Sequence, residues 1–135
     1  MKIEKNILIM SLFPTEITKL FDETFNTFKS YEKENPEKFI ESLNDKIDAI
    51  AVMGGTKVSS ELIKKLPNLK IIANYGVGYD AVDVEQATLH NVKVTNTPNV
   101  LNDEVADTAV ALTLCVYKNI SSANNFLLEK KWLKS

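Results

Sequence analysis

Short apolar segments alternate with amphipathic segments along most of the chain. The apolar segments are typical of buried strands, and the amphipathic segments repeat their apolar positions at helical spacing. Thr15 is predicted to cap the first helix, and Pro36 lies in the first turn of the second, where its missing N–H costs nothing. The predicted strands cover residues 6–11, 27–31, 47–53, 70–75 and 92–95, and the predicted helices cover residues 15–23, 36–43, 59–66 and 83–90.

The predicted strands are apolar enough to be covered on both faces, which is typical of a parallel sheet. Strands that alternate with helices build such sheets in the α/β class. We therefore predict a flavodoxin-like, doubly wound parallel sheet of five strands, in the order 2-1-3-4-5.

The last part of the chain breaks this alternation. Residues 102–118 predict one long helix, with Asn102 as its cap and two carboxylates, Asp103 and Glu104, in the first turn, where they suit the helix dipole. Almost every later residue is apolar, and a helix that is apolar on all sides must be covered on all sides. A chain of this length can cover one side, so the pattern predicts a further partner surface. A last helix is predicted over residues 122–131.

Composition excludes several classes of protein. The 135 residues carry a net charge of −2 with interspersed signs, which gives no basic surface for nucleic acid. The one cysteine, Cys115, can form no internal disulfide and is interpreted as a small buried apolar residue. No segment is typical of a membrane span, a signal peptide or a metal site, and a cytoplasmic protein is predicted.

All four glycines follow predicted strands closely. Gly54 and Gly55 come after the third strand, and Gly76 and Gly78 come after the fourth. In an open α/β sheet, ligands bind beyond the carboxyl ends of the strands, and glycine lets backbone N–H groups approach an anion. A tight turn explains each glycine equally well on its own. Two pairs at one sheet edge favour a site for a carboxylate.

Residues 76–81 (GVGYDA) match the G-x-G-x-x-G/A pattern of dinucleotide-binding loops. In a true fingerprint the glycines open a helix directly, and an acidic residue ends the next strand. Here Tyr79 and Asp80 precede a helix that is predicted to begin near Asp83, and the next strand ends in residues 95–98 (TNTP). We interpret the match as accidental.

Three successive segments resemble the D-isomer-specific 2-hydroxyacid dehydrogenases: residues 74–83 (NYGVGYDAVD), 92–101 (VKVTNTPNVL) and 104–112 (EVADTAVAL). They are most similar to the glyoxylate/hydroxypyruvate (2-ketoacid) reductase branch. The loop at residues 53–56 (MGGT) lacks the Arg and Ser that are typical of the phosphoglycerate dehydrogenase branch.

The resemblance implies a substrate site in residues 1–101, which would form a flavodoxin-like substrate-binding domain. In this family two α/β domains flank a cleft, and backbone amides of the first domain hold the substrate carboxylate. Those amides correspond to Val77 and Gly78, together with Gly54 and Gly55. The implied ligand is a small 2-keto or 2-hydroxy acid.

The resemblance also implies that residues 102–135 form a crossover helix and tail toward a separate cofactor domain. Val100 and Thr108 correspond to positions near the nicotinamide of NAD or NADP. The family's catalytic His, Glu and Arg lie beyond the crossover helix, so no catalytic residue is expected in this chain. The sequence contains no arginine, and its one histidine, His90, is interpreted as a surface residue. Trp132 is interpreted as aromatic core packing.

Two hypotheses of function follow. The first is the substrate-side domain of an NAD(P)-dependent oxidoreductase that interconverts a 2-keto acid and a D-2-hydroxy acid. Such a domain alone is expected to be inactive, to bind no cofactor and to self-associate through the 102–118 helix. The second is a stand-alone flavodoxin-like module that binds a small carboxylate or a nucleotide without catalysis. A receiver-type signalling domain is excluded, because Ser11 and residues 53–54 stand where that fold needs acidic residues.

Overall fold

Five parallel strands form the central sheet of the computed structural model, which describes residues 2–134. The sheet has the order β2-β1-β3-β4-β5, and every neighbouring pair is parallel. This confirms the predicted α/β class and strand order. The strands are β1 (Asn6–Ile9), β2 (Asn26–Lys29), β3 (Ala49–Met53), β4 (Ile71–Tyr75) and β5 (Lys93–Thr95).

Helices follow the strands as the alternation predicts, and their ends lie within three residues of the predicted ones. Those that belong to the sheet are α1 (Thr15–Thr24), α2 (Pro36–Glu41), α3 (Ser60–Lys65) and α4 (Val84–Leu89), with a 3-10 turn at Ser30–Glu32. Those that come after it are α5 (Asn102–Tyr117) and α6 (Ile120–Leu128), with a 3-10 turn at Lys131–Lys134.

Two predicted helix caps are wrong. Pro14 occupies the N-cap position of α1, with φ −49° and ψ 145°, and Leu101 occupies that of α5. Thr15 and Asn102 are therefore already helical, one residue too late for their side chains to reach the free amides of the first turn. At the starts of α2, α3 and α4 the cap side chain accepts from the backbone: Asn35 from Lys38, Ser59 from Leu62, and Asp83 from Gln86.

The alternation of side chains along the strands builds a separate apolar cluster on each face of the sheet. Leu8, Ile50 and Ile72 belong to the larger cluster, which also contains buried residues of α2, α3 and α4. Ile7 and Ile9 belong to the smaller cluster on the other face, where residues of α1 pack. These two layers hold the strand ends, and the loops that leave them, in fixed positions.

The chain forms two compact units, which divide between Pro98 and Asn99. The first contains the sheet and α1–α4. The second contains α5 and α6, and no residue of α5 is buried. Cys115 is only partly buried and Trp132 is about half exposed, so the prediction that each is a buried core residue is wrong: none of the described residues of their unit is buried. The predicted domain boundary after residue 101 stays a prediction.

Over residues 2–134, the structure has no helix with both the length and the apolar character that crossing a membrane requires.

Candidate functional site

The two glycine loops leave the sheet side by side. Met53, the last residue of β3, pairs with Tyr75, the last residue of β4, in the parallel register. The chain continues from these two residues into Gly54–Gly55 and Gly76–Gly78, so both loops begin at the same level of the carboxyl edge. This is the edge at which an open α/β sheet binds ligands.

Backbone hydrogen bonds join the two loops again farther from the sheet. The Val58 amide donates to the Ala81 carbonyl at 2.9 Å, and the Asp83 amide donates to the Val58 carbonyl at 3.0 Å. Val58 and Val82 form an isolated parallel bridge, and both are buried. The loops are therefore fixed relative to each other at both ends.

A hydroxyl network holds the loop after β3. Ser11, a buried residue just after β1, accepts from the Met53 amide at 2.8 Å and donates to Thr56 Oγ1 at 2.8 Å. Thr56 Oγ1 in turn donates to the Met53 carbonyl at 3.1 Å. The amides of Gly54 and Gly55 donate no hydrogen bond to any of residues 2–134.

The loop after β4 is held through its carbonyl groups. The Gly76 carbonyl accepts from the Thr97 amide at 2.9 Å. The Val77 carbonyl accepts from Asn96 Nδ2 at 2.8 Å, and the Gly78 carbonyl accepts from Asn74 Nδ2 at 2.7 Å. Every carbonyl of Gly76–Gly78 thus has a partner within the protein.

The amides of the same loop are left without acceptors. Within the described chain, the N–H groups of Val77, Gly78 and Tyr79 donate to no protein atom, and all three residues are exposed. A backbone N–H that has no protein partner is available to a ligand or to water. The predicted donors Val77 and Gly78 therefore meet the first requirement of an anion site, and Tyr79 adds a donor that the sequence did not indicate.

A negative charge lies close to the loop after β4. A Cβ added to Gly78 would lie 3.4 Å from Asp80 Oδ2, so one carboxylate stands close to the loop. Any affinity for an anion must then come from the amide dipoles rather than from a local excess of positive charge. Among residues 2–134, no group of three or more His, Cys, Asp and Glu side chains is placed to hold a metal ion.

An apolar cavity of about 200 Å³ lies beside the β4 loop, on the α1 face of the sheet. Phe13 and Tyr75 stand at its wall with their ring centroids 6.2 Å apart. Asn96 and Thr97, which bond to the loop carbonyls, also line it. The loop with the free backbone N–H groups therefore borders an apolar surface.

Three further predicted residues do not belong to the two glycine loops. His90 is exposed and follows the end of α4, so it stands toward the opposite edge of the sheet; its Nδ1 is 2.9 Å from the Gln86 carbonyl oxygen. The prediction of a surface histidine is confirmed. Val100 and Thr108 are exposed residues of the second unit.

Comparison with known proteins agrees with this architecture. Residues 7–127 match the family described as D-isomer specific 2-hydroxyacid dehydrogenase, catalytic domain. A glyoxylate reductase of Thermococcus litoralis is 47% identical over 89 residues, which are 66% of this chain and 27% of the relative.

Two solved structures extend the similarity to three dimensions. A 2-hydroxyacid dehydrogenase of Ketogulonicigenium vulgare Y25 superposes with a TM-score of 0.83 at 34% identity, over 100% of this chain and 42% of that one. An NADPH-dependent glyoxylate/hydroxypyruvate reductase of Sinorhizobium meliloti, in complex with NADP and malonate, gives 0.73 at 31% identity, over 98% and 40%. The chain thus spans less than half the length of the proteins it resembles. Since the family match covers residues 7–127, the chain belongs to the D-isomer specific 2-hydroxyacid dehydrogenases.

Proposed function

We propose that the chain is the substrate-side part of an NAD(P)-dependent oxidoreductase that interconverts a 2-keto acid and a D-2-hydroxy acid. In this proposal the amides of Val77 and Gly78 bind the substrate carboxylate. The observation that carries it is the one-sided bonding of the β4 loop, whose carbonyls are all bonded and whose following amides have no acceptor in the described chain. Successive free amides at the carboxyl edge of a parallel sheet are suited to an anion.

The loop after β3 is the second arm of the proposed site. Gly54 and Gly55 also have amides without acceptors in the described chain, and a Cβ added to either would meet no atom within 4 Å. The space in front of them is therefore open to a small ligand. The Sinorhizobium meliloti reductase was solved with malonate, a dicarboxylate, which supports a small carboxylic acid as ligand here.

The residues of this chain do not fit a complete dinucleotide site. A dinucleotide loop places the pyrophosphate at the N-terminus of the helix that the glycines open. Here α4 begins at Val84, and residues 79–83 lie between it and Gly78. NAD or NADP is therefore proposed to bind a cofactor domain elsewhere in a longer protein, with Val100 and Thr108 toward its nicotinamide. None is proposed to bind this chain alone.

The chain also lacks groups for the chemical step. Reduction of a carbonyl needs a proton donor and a cation near the oxygen that gains charge. The sequence has no arginine, and His90 stands toward the opposite edge of the sheet from the loops. We infer that the chain by itself binds substrate but turns none over.

Binding is tested by ¹⁵N-HSQC titration of the chain with glyoxylate. We expect saturable shifts at the amides of Val77 and Gly78, and smaller ones at Gly54 and Gly55. Glycolaldehyde, which keeps the carbonyl and lacks the carboxylate, is the matched control ligand and should leave these resonances in place. Equal shifts with both ligands, or none with glyoxylate, would contradict a carboxylate site.

Turnover is tested separately, by following absorbance of NADH or NADPH in the presence of the chain and glyoxylate or hydroxypyruvate. No rate above buffer is expected. The alternative, a stand-alone binding module, predicts the same shifts in the glyoxylate titration. A fusion of the chain to the cofactor domain of a glyoxylate reductase distinguishes the two, because a binding module predicts no turnover in the fusion. The oxidoreductase proposal predicts that turnover then appears.

A further inference from the structure

The pattern of bonds at the β4 loop can be followed one peptide unit at a time. Each unit joins the carbonyl of one residue to the amide of the next. The Gly76 carbonyl shares a unit with the Val77 amide, the Val77 carbonyl with the Gly78 amide, and the Gly78 carbonyl with the Tyr79 amide. All three carbonyls are bonded, and all three amides lack acceptors within the described chain.

Because a peptide unit is planar, a hydrogen bond that fixes its carbonyl also fixes the direction of its N–H. In a trans peptide the C=O and the N–H point to opposite sides of one rigid plane, and none of the bonds here is cis. A donor that fixes the carbonyl therefore aims the N–H of the same unit away from itself. Asn96 fixes the unit that carries the Gly78 amide, and Asn74 fixes the unit that carries the Tyr79 amide.

We propose that Asn74 and Asn96 are positioning residues for the carboxylate site, and that Tyr79 supplies a third donor N–H beside Val77 and Gly78. The inference rests on the proposed function and deepens it. The two side-chain amides hold the loop with its donors already aimed outward, so a carboxylate meets them without first ordering the loop.

A purely structural role explains these contacts less completely. Asn74 is buried, and a buried polar side chain needs partners in any case. Asn96, however, is only partly buried and could be solvated, yet it bonds to a loop carbonyl at 2.8 Å. Both side chains donate through their NH₂ groups to loop carbonyls, so neither of them occupies a backbone N–H of residues 77–79. Donation to a carbonyl also polarises the peptide, which strengthens the N–H of the same unit as a donor.

The test uses Asn96→Ala and Asn74→Ser, with Asn68→Ala as the matched control. Asn68 Nδ2 also donates to a backbone carbonyl, that of Asp45 at 2.6 Å, but in the exposed turn before β4, at the opposite edge of the sheet from the glycine loops. Each variant is titrated with glyoxylate by ¹⁵N-HSQC, its Tm is measured, and ¹⁵N relaxation of residues 77–79 is recorded without ligand.

We expect Asn96→Ala to bind glyoxylate about fivefold more weakly, the factor that one hydrogen bond commonly contributes, with no larger loss of Tm than Asn68→Ala and with increased motion at Gly78. Asn74→Ser should act most on the Tyr79 amide. Asn68→Ala should bind as the unchanged chain does. Because Asn74 is buried, Asn74→Ser risks unfolding the protein. In that case, glyoxylate binding by Asn96→Ala is the test of the positioning role.

The possible failures are distinguishable. If the unchanged chain binds glyoxylate and Asn96→Ala binds it equally well, the positioning role is overturned while the proposed function stands. If Val77 and Gly78 respond to glyoxylate and Tyr79 does not, the third donor is overturned. If no loop amide of the unchanged chain responds, the proposed function fails and the inference fails with it.

Discussion

Gly54 and Gly55 are neighbours in one loop, yet only Gly54 needs to be glycine. Gly54 has φ +62°, in the left-handed region that a Cβ disfavours, whereas Gly55 does not, and neither has an atom within 4 Å of an added Cβ. We expect Gly54→Ala to lower the free energy of unfolding by about 1 kcal/mol. Gly55→Ala, the matched control, should change it by less than about 0.5 kcal/mol. Urea unfolding of both variants measures the difference, and equal effects would contradict the backbone argument.

A second prediction at this scale concerns pH and Asp22. Lys29 Nζ lies 2.6 Å from Asp22 Oδ2, and the hydrogen bond from Lys29, followed by that from Thr27, lowers the pKa of Asp22 below its usual 3.8. A carboxyl with a lowered pKa stabilises the fold above pH 3.8 and loses that contribution as the pH falls through its folded pKa.

Asp22→Asn should therefore lower the unfolding free energy at pH 7, by no more than about 1 kcal/mol because the pair is partly exposed. The difference should vanish well below pH 3.8. Unfolding in urea at both pH values measures it, with Glu23→Gln as a control at a more exposed and longer ion pair (3.8 Å). A difference that persists in acid would show that the carboxylate charge is not its source.

The candidate site shows what the sequence can and cannot predict at the residue scale. Glycine spacing after apolar strands placed both glycine pairs at one sheet edge, because the carboxyl ends of parallel strands meet there. The family resemblance then indicated Val77 and Gly78 within the second loop. The hydrogen bonds of Asn74 and Asn96 were missed, since their partners are loop carbonyls whose directions depend on the folded backbone. One signal was present: Asn74 shares a strand face with buried Ile72, where a polar residue needs a partner.

At the scale of elements, periodicity predicted helices and strands well and their exact starts less well. The alternation of strands and helices, together with the preferred handedness of their connections, leaves a few strand orders, and 2-1-3-4-5 is a common one among them. A cap depends on the dihedral angles of a single residue, which composition does not determine. Thr15 and Asn102 have suitable side chains, but Pro14 and Leu101 occupy the cap positions.

This difference between a real cap and an apparent one can be measured. Asn35 Oδ1 accepts from the Lys38 amide at 3.0 Å at the start of α2, whereas Thr15 makes no cap bond at the start of α1. We expect Asn35→Ala to lower the unfolding free energy by about 1 kcal/mol. Thr15→Ala is the matched control, because it is also exposed at a helix start, and it should be nearly neutral. A larger loss at Thr15 than at Asn35 would contradict the assignment of caps.

At the scale of the whole molecule, the sequence predicted that α5 needs more cover than this chain offers. No residue of α5 is buried, and the exposed fractions of Val110, Leu112, Leu114 and Val116 range from 51% to 78%. Soluble proteins rarely expose contiguous apolar surface on this scale unless it binds something. Pattern analysis could indicate a partner surface without describing it, because the apolar positions record only the side that is covered and not what covers it.

We expect the isolated chain to cover α5 with a second copy of itself. Association buries apolar side chains that water otherwise surrounds, and the net charge of −2 opposes it only weakly. Sedimentation velocity should show a mass that rises with concentration. Leu112→Lys combined with Val116→Lys places two charges one turn apart on α5 and should give a monomer. Leu20→Lys, at an exposed leucine of α1, is the matched control and should still associate. A chain that remains monomeric throughout, or a Leu20 variant that dissociates as fully as the α5 variant, would contradict α5 as the contact surface.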